Sequence, residues 1–356
     1  MTKRRARRCQ WYLVILMGPW LLVSPVVGEE ESRRKPVLPK DTLPRDLDLE
    51  TARKRLELLG GIPSDNPLTK ESVALGRRLF FDPVLSKNRT VSCASCHQPE
   101  HGFASPDAKA IGIRGQAGRR NAPALMNRAV GKFQFWDGRA ASLEEQALQP
   151  IVNSRELGHS LEGMVADLQS DPIYVDLFQR AFAASGGAEA EEKYITPRNV
   201  AKSLASFQRT LLTSDSPVDL FQRGAYDSLS NNERQGLWIF ESRGRCWKCH
   251  SGNNYSDEGF HSTGIGYGQV DRDLGRFEVT KRNGDKGKFK TPTLRGVALT
   301  APYMHDGSLN SLADVVEFYN GGGALDDPAL DRSIRPLGLS DKEKIQLVAF
   351  LRALSR

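Results

Sequence analysis

Two five-residue stretches constrain this chain more than any other feature: Cys93-Ala94-Ser95-Cys96-His97 and Cys246-Trp247-Lys248-Cys249-His250. Cys-x-x-Cys-His is the signature of covalent c-type haem attachment. Thiols three residues apart lie on one side of a helical turn and can add to the two vinyl groups of one porphyrin. The next residue's imidazole then reaches the iron as its proximal ligand. The two copies use every cysteine except Cys9, near the N-terminus. A structural zinc ion needs a closed set of four ligands, and neither zinc nor a dithiol redox pair requires histidine at the same place twice. The motifs therefore predict two covalently attached haems c, with His97 and His250 as iron ligands.

The N-terminus reads as an export signal. Lys3, Arg4, Arg5, Arg7 and Arg8 precede an apolar stretch from Trp11 to Val27, and Val26-Val27-Gly28 offers small residues for cleavage before Glu29-Glu30-Glu31. Gly18, Pro19 and Pro25 interrupt a stretch already short for a membrane span. Cys9 lies ahead of the apolar run, not at its end, which argues against a lipid anchor. Cleavage after residue 28 would remove five positive charges and no negative ones, lowering the formal net charge from +7 to +2. Nucleic-acid binding then loses its only support. No later run is long and apolar enough to span a membrane, so the expectation is a mature chain in the periplasm.

Residues 29–48, with Pro36, Pro39 and Pro44, read as a flexible leader. Beyond it the pattern is mainly α. Val200, Leu204, Phe207 and Leu211 form an apolar stripe at helical spacing. Ser-x-x-Glu capping boxes are expected at Ser142–Glu145, Ser230–Glu233 and Ser340–Glu343, the last opening a helix with Leu347, Leu351 and Leu354 on one face. A Gly/Ala/Glu loop is expected from Ala183 to Glu192, and a Gly- and charge-rich excursion from Gly264 to Lys290. Gly76-Arg77-Arg78-Leu79-Phe80 precedes the first haem motif and Gly236-Leu237-Trp238-Ile239-Phe240 the second, which suggests a duplicated unit. With a boundary in Thr213-Ser214-Asp215-Ser216-Pro217, the expected architecture is two cytochrome c-like haem domains, residues 49–215 and 216–356.

Three further stretches carry a family resemblance: Phe135-Trp136-Asp137-Gly138-Arg139, Glu145-Gln146-Ala147-Leu148-Gln149-Pro150-Ile151, and Leu299-Thr300-Ala301-Pro302-Tyr303-Met304-His305-Asp306-Gly307. Over roughly residues 60–356 the chain resembles the bacterial di-haem cytochrome c peroxidase and MauG family. The resemblance implies a peroxidatic haem in the N-terminal domain, an electron-transfer haem in the C-terminal domain and a calcium ion between them. It makes Trp136 the tryptophan between the haems and Glu156 the distal acid–base carboxylate, with Gln146 its partner and Pro150 packed over the same face. Asn121, Thr300 and Pro302 match the calcium ligands, an oxygen set suited to a hard cation.

The resemblance also separates two branches. In the peroxidase branch a loop histidine caps the resting peroxidatic iron; here the position falls in Ile111-Gly112-Ile113-Arg114-Gly115, and isoleucine cannot ligate iron. His101 is expected to be a surface residue. For the second iron the peroxidase branch uses methionine and the MauG branch tyrosine; the aligned residue is Tyr319, with Met304 the competing ligand. Ser311 and Asp314 should cap its helix, with Val315 and Val316 on the Tyr319 side. Phenolate ligation favours oxidised iron, whereas Met/His ligation raises the potential. One feature departs from MauG-type enzymes that act on a partner protein: their surface tryptophan ahead of the second motif is Gly244 here, and neither Trp238 nor Trp247 occupies that position.

The resulting expectation is an enzyme that reacts with hydrogen peroxide at the first haem and shares the oxidising equivalents with the second. Its electrons come from a residue of a partner protein or from a small cytochrome c or cupredoxin. A non-catalytic electron-transfer protein would need both irons six-coordinate, against the missing histidine. A gas sensor would have little use for Glu156 beside Gln146.

Overall fold

In a computed structural model the described residues are 49–183, 191–213 and 215–355. The expected signal peptide and leader, part of the Ala183–Glu192 loop and Ser214 lie outside them. Helices dominate, in the order α1 (Leu49–Leu59), α2 (Lys70–Phe81), α3 (Cys93–Cys96), α4 (Leu143–Val152), α5 (Leu161–Gln169), α6 (Pro172–Phe182), α7 (Pro197–Arg209), α8 (Pro217–Gln222), α9 (Asn231–Glu241), α10 (Phe277–Thr280), α11 (Leu312–Asn320) and α12 (Asp341–Ala353). The only sheet among the described residues pairs β1 (Phe260–His261) with β2 (Phe289–Lys290), antiparallel.

Two glycines set the architecture. A Cβ on Gly76 of α2 would lie 1.8 Å from the Ser203 carbonyl oxygen of α7, and one on Gly236 of α9 would lie 2.0 Å from that of Gln346 in α12. Only glycine lets backbones cross this closely. Around the first crossing Phe80, Phe103 and Phe207 pack edge-on or tilted within one core. Around the second, Phe240, Tyr255 and Phe350 do the same. Removing any of these large buried side chains should cost about 3–5 kcal/mol. Val200, Leu204, Phe207 and Leu211 are all buried in the first core, and Leu347, Leu351 and Leu354 in the second, as their spacing predicts.

The repetition extends beyond these helix pairs. A loop closed by the Gln134–Ala140 bridge has Phe135 at φ 67° and Gly138 at 68°; one closed by Tyr303–Leu309 has Met304 at 72° and Gly307 at 69°. Ser142 then caps α4 and Ser311 caps α11. The boxes at Ser230–Glu233 and Ser340–Glu343 are reciprocal. At Ser142 the serine caps as expected, but Glu145 turns to the Ala141 amide at 2.8 Å, one residue earlier.

The Gly264–Lys290 excursion is more ordered than its composition suggests. It contains α10 and ends in β2, and it reaches residues of the first half. Arg120 makes a two-pronged contact with Asp273 at 2.7 and 2.8 Å, and Arg276 donates to the carbonyls of Asp137 and Gly138. Burial would raise the Asp273 pKa, but hydrogen bonding and charge from Arg120 bring it down to about 2.

Candidate functional site

One continuous cavity of about 690 Å³ is lined by both cysteine–histidine motifs, through Cys96 and His97 on one side and Cys246, Cys249 and His250 on the other. In each motif the imidazole Nδ1 faces a backbone carbonyl: His97 that of Phe103 at 3.0 Å, His250 that of Tyr255 at 2.9 Å. A carbonyl only accepts, so both rings carry the proton on Nδ1 and leave Nε2 for a metal, the usual outer-shell arrangement of an iron- or zinc-bound histidine. Burial pushes both imidazoles below their ordinary pKa, towards the neutral, ligating form. The thiols shift the other way: burial raises Cys93 and Cys246 to about 12 and Cys96 to about 11. A redox dithiol or thiolate metal site lowers such values; cysteine pairs beside a large cavity suit thioether links to a porphyrin. Gln208 Oε1, buried on the cavity wall, has no hydrogen-bond partner among the described residues, a further sign that the wall is built for a polar-edged group.

On the first side the cavity brings together Gln146 and Pro150 of α4 with Glu156 of the following loop. Asn153 Nδ2 donates to Glu156 Oε1 at 2.7 Å. Burial raises the Glu156 pKa, opposed by the charge of Arg139 and the Asn153 hydrogen bond. Glycine sets this loop's position: a Cβ on Gly112 would lie 2.0 Å from the Arg155 carbonyl oxygen and 2.7 Å from Glu156 Cα. Ile113 is buried, its amide donating to the Glu156 carbonyl at 2.9 Å, and is not among the cavity-lining residues. His101 is half-buried and lies outside that lining.

The repeat explains the difference between the two sides. Pro150 stands eight residues after the capping Ser142, and Tyr319 stands eight residues after the capping Ser311. The same position on the same kind of helix thus carries a side chain with no donor atom at the first site and a phenol at the second. Tyr319 lines the cavity, and burial, with Cys249 and Cys246 close by, raises its hydroxyl above the usual phenol pKa. Val315 shares that face, whereas Val316 turns into the core. Met304 also lines the cavity, from the loop and not from a helix.

Trp136 lines the same cavity; its Nε1 donates to the Asn121 carbonyl at 2.9 Å, and the Asn121 amide donates to the His305 carbonyl at 2.8 Å. Asn121 Nδ2 is taken by the Asp107 carbonyl at 3.0 Å, which turns Oδ1 the other way. Asn121, Thr300 and Pro302, the residues expected to hold calcium, all line the cavity. Gly244 is buried, and an added Cβ would lie 2.6 Å from the Ile239 carbonyl oxygen, so this backbone has no room there for tryptophan. Trp238 and Trp247 are both exposed.

Several wall residues gave no signal in the sequence. Arg128 and Glu258 form a buried pair joining the two halves, and Lys290 beside them donates its amide to the Trp136 carbonyl at 2.7 Å. His261 stands beside the second motif with one ring nitrogen on Asp257 at 2.9 Å and the other on Asp331 at 2.7 Å. Single charged residues in loops and two-residue strands carry no spacing rule that would have marked them.

Comparison with known proteins agrees with this geometry. Residues 70–227 match the family model for di-haem cytochrome c peroxidase. The chain is 38% identical over 314 residues to the methylamine utilization protein MauG of Methylorubrum extorquens, covering 88% of this chain and 86% of that one. It is 36% identical to the cytochrome c551 peroxidase of Pseudomonas aeruginosa, covering 81% and 80%. A crystal structure of a MauG-like protein associated with microbial copper homeostasis superposes with a TM-score of 0.75 at 31% identity, covering 82% of this chain and 91% of that one. With two haem-attachment motifs on one cavity and these relatives, the chain belongs to the di-haem cytochrome c peroxidase/MauG family of c-type haem oxidoreductases.

Proposed function

We propose that this protein reacts with hydrogen peroxide at the His97 site and shares the oxidising equivalents with the His250 site through Trp136. The observation that carries the reading is that Pro150 and Tyr319 stand at matching helix positions on the cavity, a side chain with no donor atom at one site and a phenol able to ligate iron at the other. When bound, the haems held by His97 and His250 would supply iron able to give peroxide two electrons and to hold the oxidising equivalents until a donor restores them.

The protein's own groups do the rest. Peroxide heterolysis requires a proton to move from the inner oxygen to the leaving one. Glu156 is placed for this, with burial raising its pKa towards the range where it can both take and return a proton. Asn153 and the Ile113 amide hold it in place, and Gln146 offers an amide on the same wall. Ile113 leaves no loop histidine to displace, so turnover needs no prior reduction. The Trp136 indole stands between the sites as a relay, held by Asn121. Calcium bound by Asn121, Thr300 and Pro302 would fix that anchor.

The electrons come from a partner protein, either a residue that is oxidised or a small cytochrome c or cupredoxin; Gly244 argues against the partner geometry of relatives with tryptophan there. The N-terminal signal assigns the mature chain to the periplasm, with the two haem units meeting near residues 213–217. No helix among the described residues is long and apolar enough to cross a membrane.

Glu156→Gln tests the chemistry. The resting spectra of both haems should be unchanged, while the spectral change after peroxide mixing slows about a hundredfold to ten-thousandfold. A variant within threefold of the wild-type rate in stopped flow would leave the carboxylate a structural role.

A further inference from the structure

Arg128, Glu258 and Lys290 form a buried charge cluster whose charges do not cancel. Their exposures are 7%, 9% and 7%. Arg128 holds both oxygens of Glu258, at 2.7 and 3.1 Å. Lys290 Nζ stands 3.8 Å from Glu258 Oε1 and donates to the Thr291 carbonyl at 3.1 Å. Two cations thus share one carboxylate, which Arg128 holds more closely than Lys290 does. Asp257, the next acid in sequence, is on the exposed side, turned to His261 and the Gly259 amide. Burial, then the charge of Arg128, pushes the Lys290 ammonium down to about 7, as expected of a buried cation short of a counter-ion. A buried cation that must share a distant carboxylate is costly, and methionine would fill the space without that cost.

The position of Lys290 indicates what completes the cluster. It lines the cavity, its charge reaches the His250 imidazole, and its backbone amide holds the Trp136 carbonyl. Arg128 is not free for the task, since its guanidinium also serves Gln134 and the Phe133 carbonyl. We infer that Lys290 is the counter-ion of a propionate of the second haem, pinning that haem's edge to the strand that carries the Trp136 contact. A carboxylate there supplies the missing negative charge and accepts the ammonium's remaining protons in a charge-assisted bond. Seating of the haem and placement of the indole then depend on one residue. The inference rests on haem attachment at residues 246–250.

The test uses the holoprotein and its Lys290→Met and Lys290→Arg variants. Resonance Raman spectra excited in the Soret band report propionate bending modes, and a spectroelectrochemical titration reports the potential of the His250 haem. Lys290→Met should displace one propionate band and lower that potential, because a positive charge beside the reduced haem is lost. Lys290→Arg, which keeps the charge on a differently shaped donor, should displace the band while holding the potential near wild type. Propionate bands that stay at their wild-type positions in Lys290→Met overturn the inference, leaving Lys290 a structural partner of Glu258. If Lys290→Met does not fold, unmoved bands in Lys290→Arg overturn it equally. Haem content separates the two claims: wild-type protein with one haem per chain would refute the attachment reading beneath the inference, whereas two haems with unmoved bands refute Lys290 alone.

Discussion

Gly112→Ala reaches the proposed chemistry without touching a titratable group. The added methyl would sit 2.0 Å from the Arg155 carbonyl oxygen and 2.7 Å from Glu156 Cα, both backbone atoms that cannot swing aside. An unstrained contact is near 3.5 Å, so the two loops must part by roughly 1.5 Å. The Ile113–Glu156 backbone bond, 2.9 Å long in the native chain, resists that movement. Overpacking of this kind costs about 1–3 kcal/mol of stability, and a misplacement of about 1 Å at a reacting group can cost on the order of a hundredfold in rate. The variant should therefore fold with two haems and an unaltered His250 site, while its reaction with peroxide slows about a hundredfold. Stopped-flow absorbance under excess peroxide measures this, with the ferric spectrum as the folding control. A rate within threefold of wild type would mean that the position of Glu156 does not govern the reaction.

Further outcomes follow from the same geometry. Tyr319→Phe should convert the second haem from six-coordinate low-spin towards five-coordinate, read by ferric EPR; an unchanged low-spin signal transfers the ligand role to Met304. Chelation of calcium should slow peroxide-driven turnover, with recovery on adding calcium but not magnesium, because Asn121 holds Trp136 Nε1; full activity in protein shown by metal analysis to be calcium-free would remove the ion from the account. Asp273, brought down to about 2, stabilises the native chain fully above the carboxylate's unfolded pKa, and that contribution is lost as pH falls from about 4 towards 2. Asp273→Asn should flatten this part of the acid-unfolding curve and, with Asp137 and Glu278 still on Arg120, cost about 1–3 kcal/mol near neutral pH; an acid transition identical to wild type would count against it.

The helical character and both haem motifs are legible in the chain because their rules are local. Cysteine spacing needs one turn, and the stripe ending at Leu211 needs only a helical period. The paired Gly76 and Gly236 are visible as a weak repeat, but their purpose, a backbone crossing against α7 and α12, depends on segments more than a hundred residues away. The correspondence of Pro150 with Tyr319 emerges once Ser142 and Ser311 are seen to cap matching helices. The Ser142 case shows the limit of local rules: Glu145 finds the Ala141 amide instead of the serine's own. Arg128, Glu258 and Lys290 escape sequence reading because a buried charge is recognised by what surrounds it, not by its neighbours in sequence.

The central claim is that one iron is open to peroxide while the other is capped. EPR of the fully oxidised protein before any reductant is added tests it most directly. The account predicts one high-spin ferric haem and one low-spin ferric haem in equal amounts, with the high-spin signal consumed on adding peroxide. Two low-spin haems in the resting protein, or a first site that responds to peroxide only after one-electron reduction, would contradict it.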